Sequence, residues 1–409
     1  MIVLFSSTLV IRQHFYKHEL PVFGGTLIEG TLANSDSDLS ESLGRLTKIG
    51  LTKFDNKGNV SPDLAESWQI SADGLIYTFK LRSFVKSDDV IKKIREVERE
   101  WADINISKVD DSQVKFELKQ PLGPLLAHTT EPIFDYGPYK LSKTKKTEIE
   151  LEANKDYWEG RPYIGKVVLK LYADPKTLEA AVRGKKVMGA LLPADNIKGY
   201  HAVDLSLPKY KMVFFNTSDS VLSDKSLRQK IAQNQNIGKK IDLNMAVANN
   251  ENDMLIAAEL SEKWSKLGIN LGVVPYDAAE LQKNIIPNRD YDLILYGINY
   301  GAEEDPYPFF HSSQVGAEGL NLSSFSNGQA DKILEEARFT ADPEVRKKKY
   351  EEFKKILADE APALVVAQEN MKYFISNDVK GVESGMYSIT AGDRFSDVGH
   401  WYIKTKRVK

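Results

Sequence analysis

The sequence predicts an α/β protein built from more than one compact unit, and three observations carry that expectation. The chain has 409 residues, more than a single hydrophobic core ordinarily serves. Apolar strand-like runs alternate with amphipathic helical stretches through its second half. Hydrophobic residues make up 42% and charged residues 28%, the balance of a chain that folds throughout.

Met1 to Ile11 (MIVLFSSTLVI) is almost wholly apolar and runs into Arg12, His14, Lys17 and His18. It is shorter than the roughly 20 residues a spanning helix needs, and it lacks the basic start and small-residue cleavage site of a secretory signal. Residues 1–20 therefore read as the distal part of a membrane anchor with its juxtamembrane stretch, an N-terminal core strand being the alternative. Pro21 to Gly25 breaks this segment from a short strand at Thr26 to Glu29. Leu75, Tyr77, Phe79 and Leu81 alternate with more polar neighbours, as do Val114, Phe116 and Leu118, which predicts two half-buried antiparallel strands. Between them Asp88 to Trp101 has helical spacing at Val90, Ile94, Val97 and Trp101.

The middle changes character. Val167 to Tyr172 is a dense apolar strand, followed by Asp174-Pro175 as N-cap and N1 proline of a helix carrying Leu178, Ala181 and Val182 and closed by Gly184. The strand-and-helix pattern recurs at Met212 to Phe215, at Ala257 to Leu267 with Asn270 to Val274, and at Tyr291 to Tyr296. Two helices follow, Asp331 to Phe339 and Pro343 to Asp359, the second capped by Asp342 and expected to bury Val345, Tyr350, Phe353 and Ile356. A strand at Ala363 to Ala367 leads to a mixed C-terminal segment with Trp401.

Composition excludes several chemistries. A formal charge of -3 gives no electrostatic ground for nucleic-acid binding. With no cysteine there is no disulfide, thiolate metal site, thiol nucleophile or lipidated cysteine. Of six histidines only His14 and His18 have a metal-capable i, i+4 spacing, without a zinc-protease carboxylate beside them, so no metal and no cofactor is expected. Nucleophile-elbow, P-loop and dinucleotide-binding glycine motifs are missing. Glu303-Glu304-Asp305 offers paired carboxylates, but consecutive acids after an apolar strand read better as a loop or helix cap than as a hydrolytic pair. No catalytic residue is assigned, and an enzyme is not expected.

Val60 to Arg82 (VSPDLAESWQISADGLIYTFKLR) resembles the signature of the family 5 extracellular solute-binding proteins, which serve peptide and nickel importers. Its turn and alternating strand are physically coherent, with Leu64, Ala65 and Trp68 expected on a short helix. Val109 to Pro121, Gly137-Pro138-Tyr139, Asn154 to Gly160 (NKDYWEG), and Phe214-Phe215-Asn216-Thr217 with Leu222, Asp224 and Arg228 are similar to further family segments in the family's order. Tyr291-Asp292-Leu293, Asp305-Pro306, Asn321, Phe325-Ser326-Asn327, Asp331 and Arg346 continue the register.

The resemblance implies a two-lobed Venus-flytrap fold of the periplasmic-binding-protein type, with a small α+β subdomain inserted in lobe I. Lobe I would take residues 24–48, 132–213 and 368–409, the subdomain 49–131 and lobe II 214–367, with hinge crossings near Phe215 and Gln368. It implies a monomeric extracytoplasmic receptor that closes over an oligopeptide or other small solute and delivers it to an ABC permease. Tyr296, Asn299, Tyr300, Glu303, Glu304, Asp305 and Asn216 are the ligand-binding candidates. A degenerate flytrap scaffold, or a receptor for a nickel chelate, haem or oligosaccharide, is the alternative.

The chain departs from the family pattern in places. In Gly297-Ile298-Asn299-Tyr300-Gly301-Ala302, Ala302 stands where peptide receptors carry an acid and Ile298 near their usual tryptophan, so Glu303 or Glu304 would have to meet a peptide's ammonium. The family's histidine and glycine before the subdomain helix are missing, and segments are lacking after Gly30, around Phe134 to Gly137, and between Lys240 and Ile241.

Overall fold

A computed structural model describes residues 18–33, 36–97, 104–303, 305–383 and 387–408. Residues 1–17, with His14 of the histidine pair, and Trp101 and Glu304 lie outside the described residues. The Pro21 break comes later than expected. His18–Val22 is a strand, paired antiparallel with the C-terminal Lys404–Val408 in a register of His18 to Val408 through Val22 to Lys404.

A ten-stranded mixed sheet runs through both halves of the molecule, and two of its strands are unusually long, Tyr200–Phe215 and Ala363–Ser376. They pair antiparallel with one another. Beyond Ala363–Ser376 lie Gly189–Leu191, Thr26–Leu32, Lys166–Tyr172, Glu148–Ala153 and Tyr139–Lys145; beyond Tyr200–Phe215 lie Leu293–Asn299, Ile241–Ala248 and Ile269–Tyr276. The first group is lobe I and the second lobe II.

The long pair changes company part-way. Tyr200 to Ser206 pairs only with Ser376 to Asn370, whereas Lys209 to Phe215 also pairs with Asn299 to Leu293 on its other side. Between Ser206 and Tyr210 the register is broken, and Pro208 stands in the break with no amide hydrogen to give the ladder. The Gln368 side chain donates to Leu207 O at 3.0 Å. The crossing strand thus leaves lobe I at Leu207 to Lys209, while Phe215 lies at the far end of the same strand, paired with Leu293.

Both lobes bury their sheet on two faces, which is why their strands read as unbroken apolar runs. Successive side chains of a strand point to opposite faces. Val213 and Phe215 join Trp264, Leu243 and Leu295 in one lobe II core, and Met212 and Phe214 join Phe310, Ile294 and Phe353 in the other. In lobe I, Leu27, Leu169, Tyr373 and Trp401 pack on one face, and Leu178, Val182, Ala190 and Phe374 on the other. Helices close the crossovers between parallel strands. Asp174 caps Pro175–Arg183 by accepting from Thr177 N at 2.8 Å, and Asn250 caps Glu251–Ser265 by accepting from Asp253 N at 3.0 Å.

The subdomain has its own core of Tyr77, Phe79, Val90, Ile94, Val114 and Phe116 under a four-stranded antiparallel sheet with the helix Ser87–Glu96. The expected short helix at Leu64 to Trp68 is instead the strand Ala65–Ile70, with Trp68 opposite Phe79 and Ile70 opposite Tyr77. A waiting edge strand, Ile76–Leu81, offers its hydrogen bonds over the whole length of the segment, and this outweighs the helical preference of Leu, Ala and Glu. On Pro343–Glu360 the expected face holds at Tyr350, Phe353 and Ile356, but Val345 is 40% exposed and Arg346 is buried beside it instead.

Candidate functional site

Loop 299–306 leaves the Leu293–Asn299 strand at the end of lobe II next to the Leu207 to Lys209 crossing. Three contacts fix its course. Tyr300 N donates to Pro208 O at 2.9 Å, tying the loop's start to the crossing strand. The Tyr300 ring packs edge-on against Tyr210 and Phe309, with centroids 5.5 and 5.3 Å away. Asn299 Oδ1 accepts from Gly301 N at 2.9 Å, and Gly301 has a φ of 72°, a conformation glycine adopts without strain.

The acids that follow are held by lobe II itself. Arg346, 2% exposed, directs both Nε (2.9 Å) and Nη2 (2.6 Å) to Glu303 Oε2, while its Nη1 donates to Thr340 O and Ala341 O at 2.8 and 3.1 Å. Asp305 Oδ1 accepts from Tyr307 N at 3.0 Å and from the Tyr350 hydroxyl at 3.3 Å, and burial pushes that hydroxyl's pKa up. Asp305 thereby holds the first amide of the short helix Tyr307–Phe310. Tyr296 stands one turn of the pleat earlier, its hydroxyl accepting from Gln282 Nε2 at 2.5 Å on a π-helical turn, Leu281–Ile285.

Asn216 stands apart from the other described candidates. It lies at the end of lobe II remote from the hinge, where its amide donates to Tyr291 O at 3.0 Å and Arg289 O at 3.3 Å and its oxygen accepts from Ser218 Oγ at 2.6 Å. At roughly 3.3 Å per residue, the strand from Leu207 to Phe215 carries it about 25 Å from the crossing.

Lobe I reaches lobe II at two points that sequence reasoning missed, one on the loop and one beside it. The Tyr387 hydroxyl donates to Ala302 O at 2.5 Å. The amide of Gly123, from the tip of the subdomain, donates to Arg338 O at 2.7 Å at the C-terminal end of the lobe II helix Gly328–Arg338. A β-carbon at Gly123 would stand 2.3 Å from Thr340 O and 3.0 Å from Arg346 Nη1, so only glycine allows this approach. Next to it the Tyr77 hydroxyl donates to Leu122 O at 3.3 Å; burial raises its pKa, and Arg346 and Glu303 are close enough to act on it in opposite senses. Gly123 sits in Pro-Leu-Gly-Pro, a turn signal that gives no hint of what the turn meets.

Lobe I also contains a buried ionic knot. Arg394 lies between two carboxylates, with Nε 3.0 Å from Glu29 Oε1 and Nη1 2.8 Å from Asp38 Oδ1. One guanidinium serves only one of them fully. Burial raises the Asp38 pKa, but the Arg394 charge and hydrogen bonds from Thr31, Arg394 and Ser42 hold it below its usual value. Burial dominates at Glu29 and pushes it up to about 7, with Tyr373 donating to its other oxygen at 2.9 Å. The knot binds the C-terminal segment to the first strand and helix of lobe I and takes no part in the contact between lobes.

Among the described residues no group of three or more His, Cys, Asp or Glu is placed to hold a metal ion, and no helix is long and apolar enough to cross a membrane.

Two halves of one ten-stranded sheet, held together by a continuous strand pair, with a loop of one half meeting residues of the other, define a two-lobed architecture. Residues 93–234 match the family described as bacterial extracellular solute-binding proteins, family 5 middle. The chain carries that match over about a third of its length. It is 24% identical to the oligopeptide-binding protein AppA of Bacillus subtilis, over 88% of this chain and 89% of that protein. That alignment spans 488 positions against 409 residues here, so the relative carries segments this chain lacks. Among solved structures, AppA from B. subtilis in complex with a nonapeptide matches with a TM-score of 0.68 at 21% identity, covering 94% of this chain and all (100%) of that one. NikZ from Campylobacter jejuni in complex with Ni(L-His) matches with a TM-score of 0.69 at 21% identity, covering 92% and 99%. These likenesses establish the two-lobed fold.

Proposed function

We propose that this chain is the solute-binding receptor of an ABC importer, a non-enzymatic protein that captures oligopeptides by closing its lobes and delivers them to a membrane permease. The observation that carries this is the broken register at Leu207 to Lys209, next to Gln368, in the strand pair that joins the lobes, together with the contacts of loop 299–306 and its neighbours to Tyr387 and Gly123. A hinge on one side and a lobe-to-lobe contact on the other are what a closing receptor needs. Only the closed arrangement gains contacts from both lobes, so a ligand that touches both shifts the population towards it. The names of the relatives, peptide-binding proteins for the most part, support peptides over nickel chelates, haem or sugars.

In this reading lobe II runs from about residue 209 to 367, and the remainder from residue 24 forms lobe I with its subdomain at 49–131. Tyr296, Asn299, Tyr300 and the backbone of loop 299–306 face the ligand, which is added largely through its main chain. Glu303 and Asp305 hold the loop in shape, and Glu304 is the acid left to meet an ammonium. The protein works outside the cytoplasm as a monomer, tethered through its apolar N-terminal residues.

Native mass spectrometry of gently purified protein, followed by thermal-shift screening with di- to pentapeptides, tests the proposal. A co-purifying peptide, and a melting temperature raised by peptides of matching length, are expected. A melt shifted by a sugar or a metal chelate and by no peptide would remove the peptide assignment.

A further inference from the structure

Lobe I encloses a cavity of about 240 Å³ where its body, the subdomain and the C-terminal segment meet. Every residue that lines it belongs to lobe I, and none comes from loop 299–306 or elsewhere in lobe II. Its walls are densely charged, and most of the charges are already spent on each other. Arg45 pairs with Asp393 and Lys53 with Glu159. His400 Nδ1 lies 2.6 Å from Asp397 Oδ1, and Asp55 turns its carboxylate onto the amides of Lys57 and Asn59.

Two charges remain. Asp63 is 3% exposed and accepts from Trp158 Nε1 at 3.0 Å and Gly50 N at 3.3 Å, yet among the described residues it has no ion-pair partner. Lys48, on the same wall, has no ion pair and no side-chain hydrogen bond among them. The Nε of Arg45 is likewise buried without a partner. A buried carboxylate with neutral donors alone is costly, and a cation brought to it recovers that cost.

We propose that this cavity is a second binding site, distinct from the one between the lobes, and that it takes the zwitterion of a free α-amino acid. Asp63 receives the ammonium, and Lys48 with Arg45 Nε receives the carboxylate. Pockets for drug-sized ligands begin at about 300 Å³, so the volume suits a ligand of amino-acid size better than an oligopeptide. Mixed charge of one sign each selects a zwitterion over a simple anion or amine, because either end alone leaves the opposite wall group unpaired. Tyr387 lines the cavity and also bonds Ala302 of lobe II, so an occupant sits beside one of the contacts that hold the lobes together.

Isothermal titration calorimetry on the full chain tests this with L-leucine, L-leucine methyl ester, N-acetyl-L-leucine and trileucine. L-leucine should bind, and blocking either end should weaken binding by about tenfold or more. Lys48→Ala should weaken L-leucine binding by a similar factor while leaving the affinity for trileucine within about twofold, and Asp63→Asn should do the same from the other end. No binding of L-leucine, equal binding of the blocked forms, or an unchanged affinity in Lys48→Ala would overturn the proposal. Loss of trileucine binding together with L-leucine in Lys48→Ala would also overturn it, by merging the two sites. If no peptide of the di- to pentapeptide screen binds but L-leucine behaves as described, the second site stands and the peptide receptor falls.

Discussion

The backbone amide of Gly123 in lobe I donates to the carbonyl oxygen of Arg338 in lobe II at 2.7 Å, and no β-carbon fits where the two lobes meet. Gly123→Val should therefore disfavour the closed form. Peptide affinity should fall by about tenfold or more, chiefly through faster dissociation, because closure holds the ligand once it is bound. Stopped-flow release of a labelled peptide measures this; an unchanged off-rate would show that the contact plays no part in retention.

Arg346 and Glu303 form a buried pair in which the guanidinium also holds Thr340 and Ala341. Arg346→Met should destabilise the chain by about 3–5 kcal/mol, leaving a half-buried carboxylate unmatched. Adding Glu303→Gln should restore part of the loss. Urea denaturation of both single variants and the double reads this out, and strictly additive losses would mean the pair is not coupled.

Asn216→Ala separates structure from binding. Its amide is engaged by lobe II carbonyls far from the hinge, so stability should fall by about 1–3 kcal/mol while peptide affinity stays within about twofold. A selective loss of affinity would return Asn216 to the ligand site.

Stability should fall as pH rises from 5 to 8. Burial pushes Glu29 and Asp63 up to about 7, against roughly 4 in an unfolded chain. Between those values the folded protein keeps protons that the unfolded chain has released. The contribution is whole below about pH 4 and is lost as pH climbs through about 7, on the order of 2 kcal/mol per group. Urea midpoints at pH 5 and pH 8 measure it. Glu29→Gln with Asp63→Asn should flatten the difference, and an undiminished difference would assign it to other groups.

Much of the architecture was legible because it rests on local patterning. The Asp174-Pro175 and Asp342-Pro343 caps gave two helices their starts, and the alternation at Leu75 to Leu81 and Val114 to Leu118 gave the subdomain two of its strands. The long strand Tyr200–Phe215 was legible only at its apolar end, Met212 to Phe215, since His201, Asp204 and Lys209 point outward or into the hinge and Pro208 reads as a stop. Ile241–Ala248 was missed because Asp242 and Asn244 interrupt its apolar run.

The candidate site was legible in one respect. Loop 299–306 follows an apolar strand and carries aromatic and acidic residues, a local signal. Its partners are not local. Arg346 stands in the sequence only as one more residue of the family register, and only the fold brings it to Glu303, 43 residues earlier. Tyr387 and Gly123 lie still further from the loop in sequence.

The absence of cysteine makes the central claim directly measurable, because Lys155→Cys in lobe I and Lys332→Cys in lobe II give two unique labelling positions on exposed side chains. Energy transfer between dyes at these positions should report two populations without ligand and a shift towards the shorter distance as peptide is added, with a midpoint matching the calorimetric Kd. A single distance that saturating peptide leaves unchanged, while calorimetry records binding, would contradict closure about the Leu207 to Lys209 hinge.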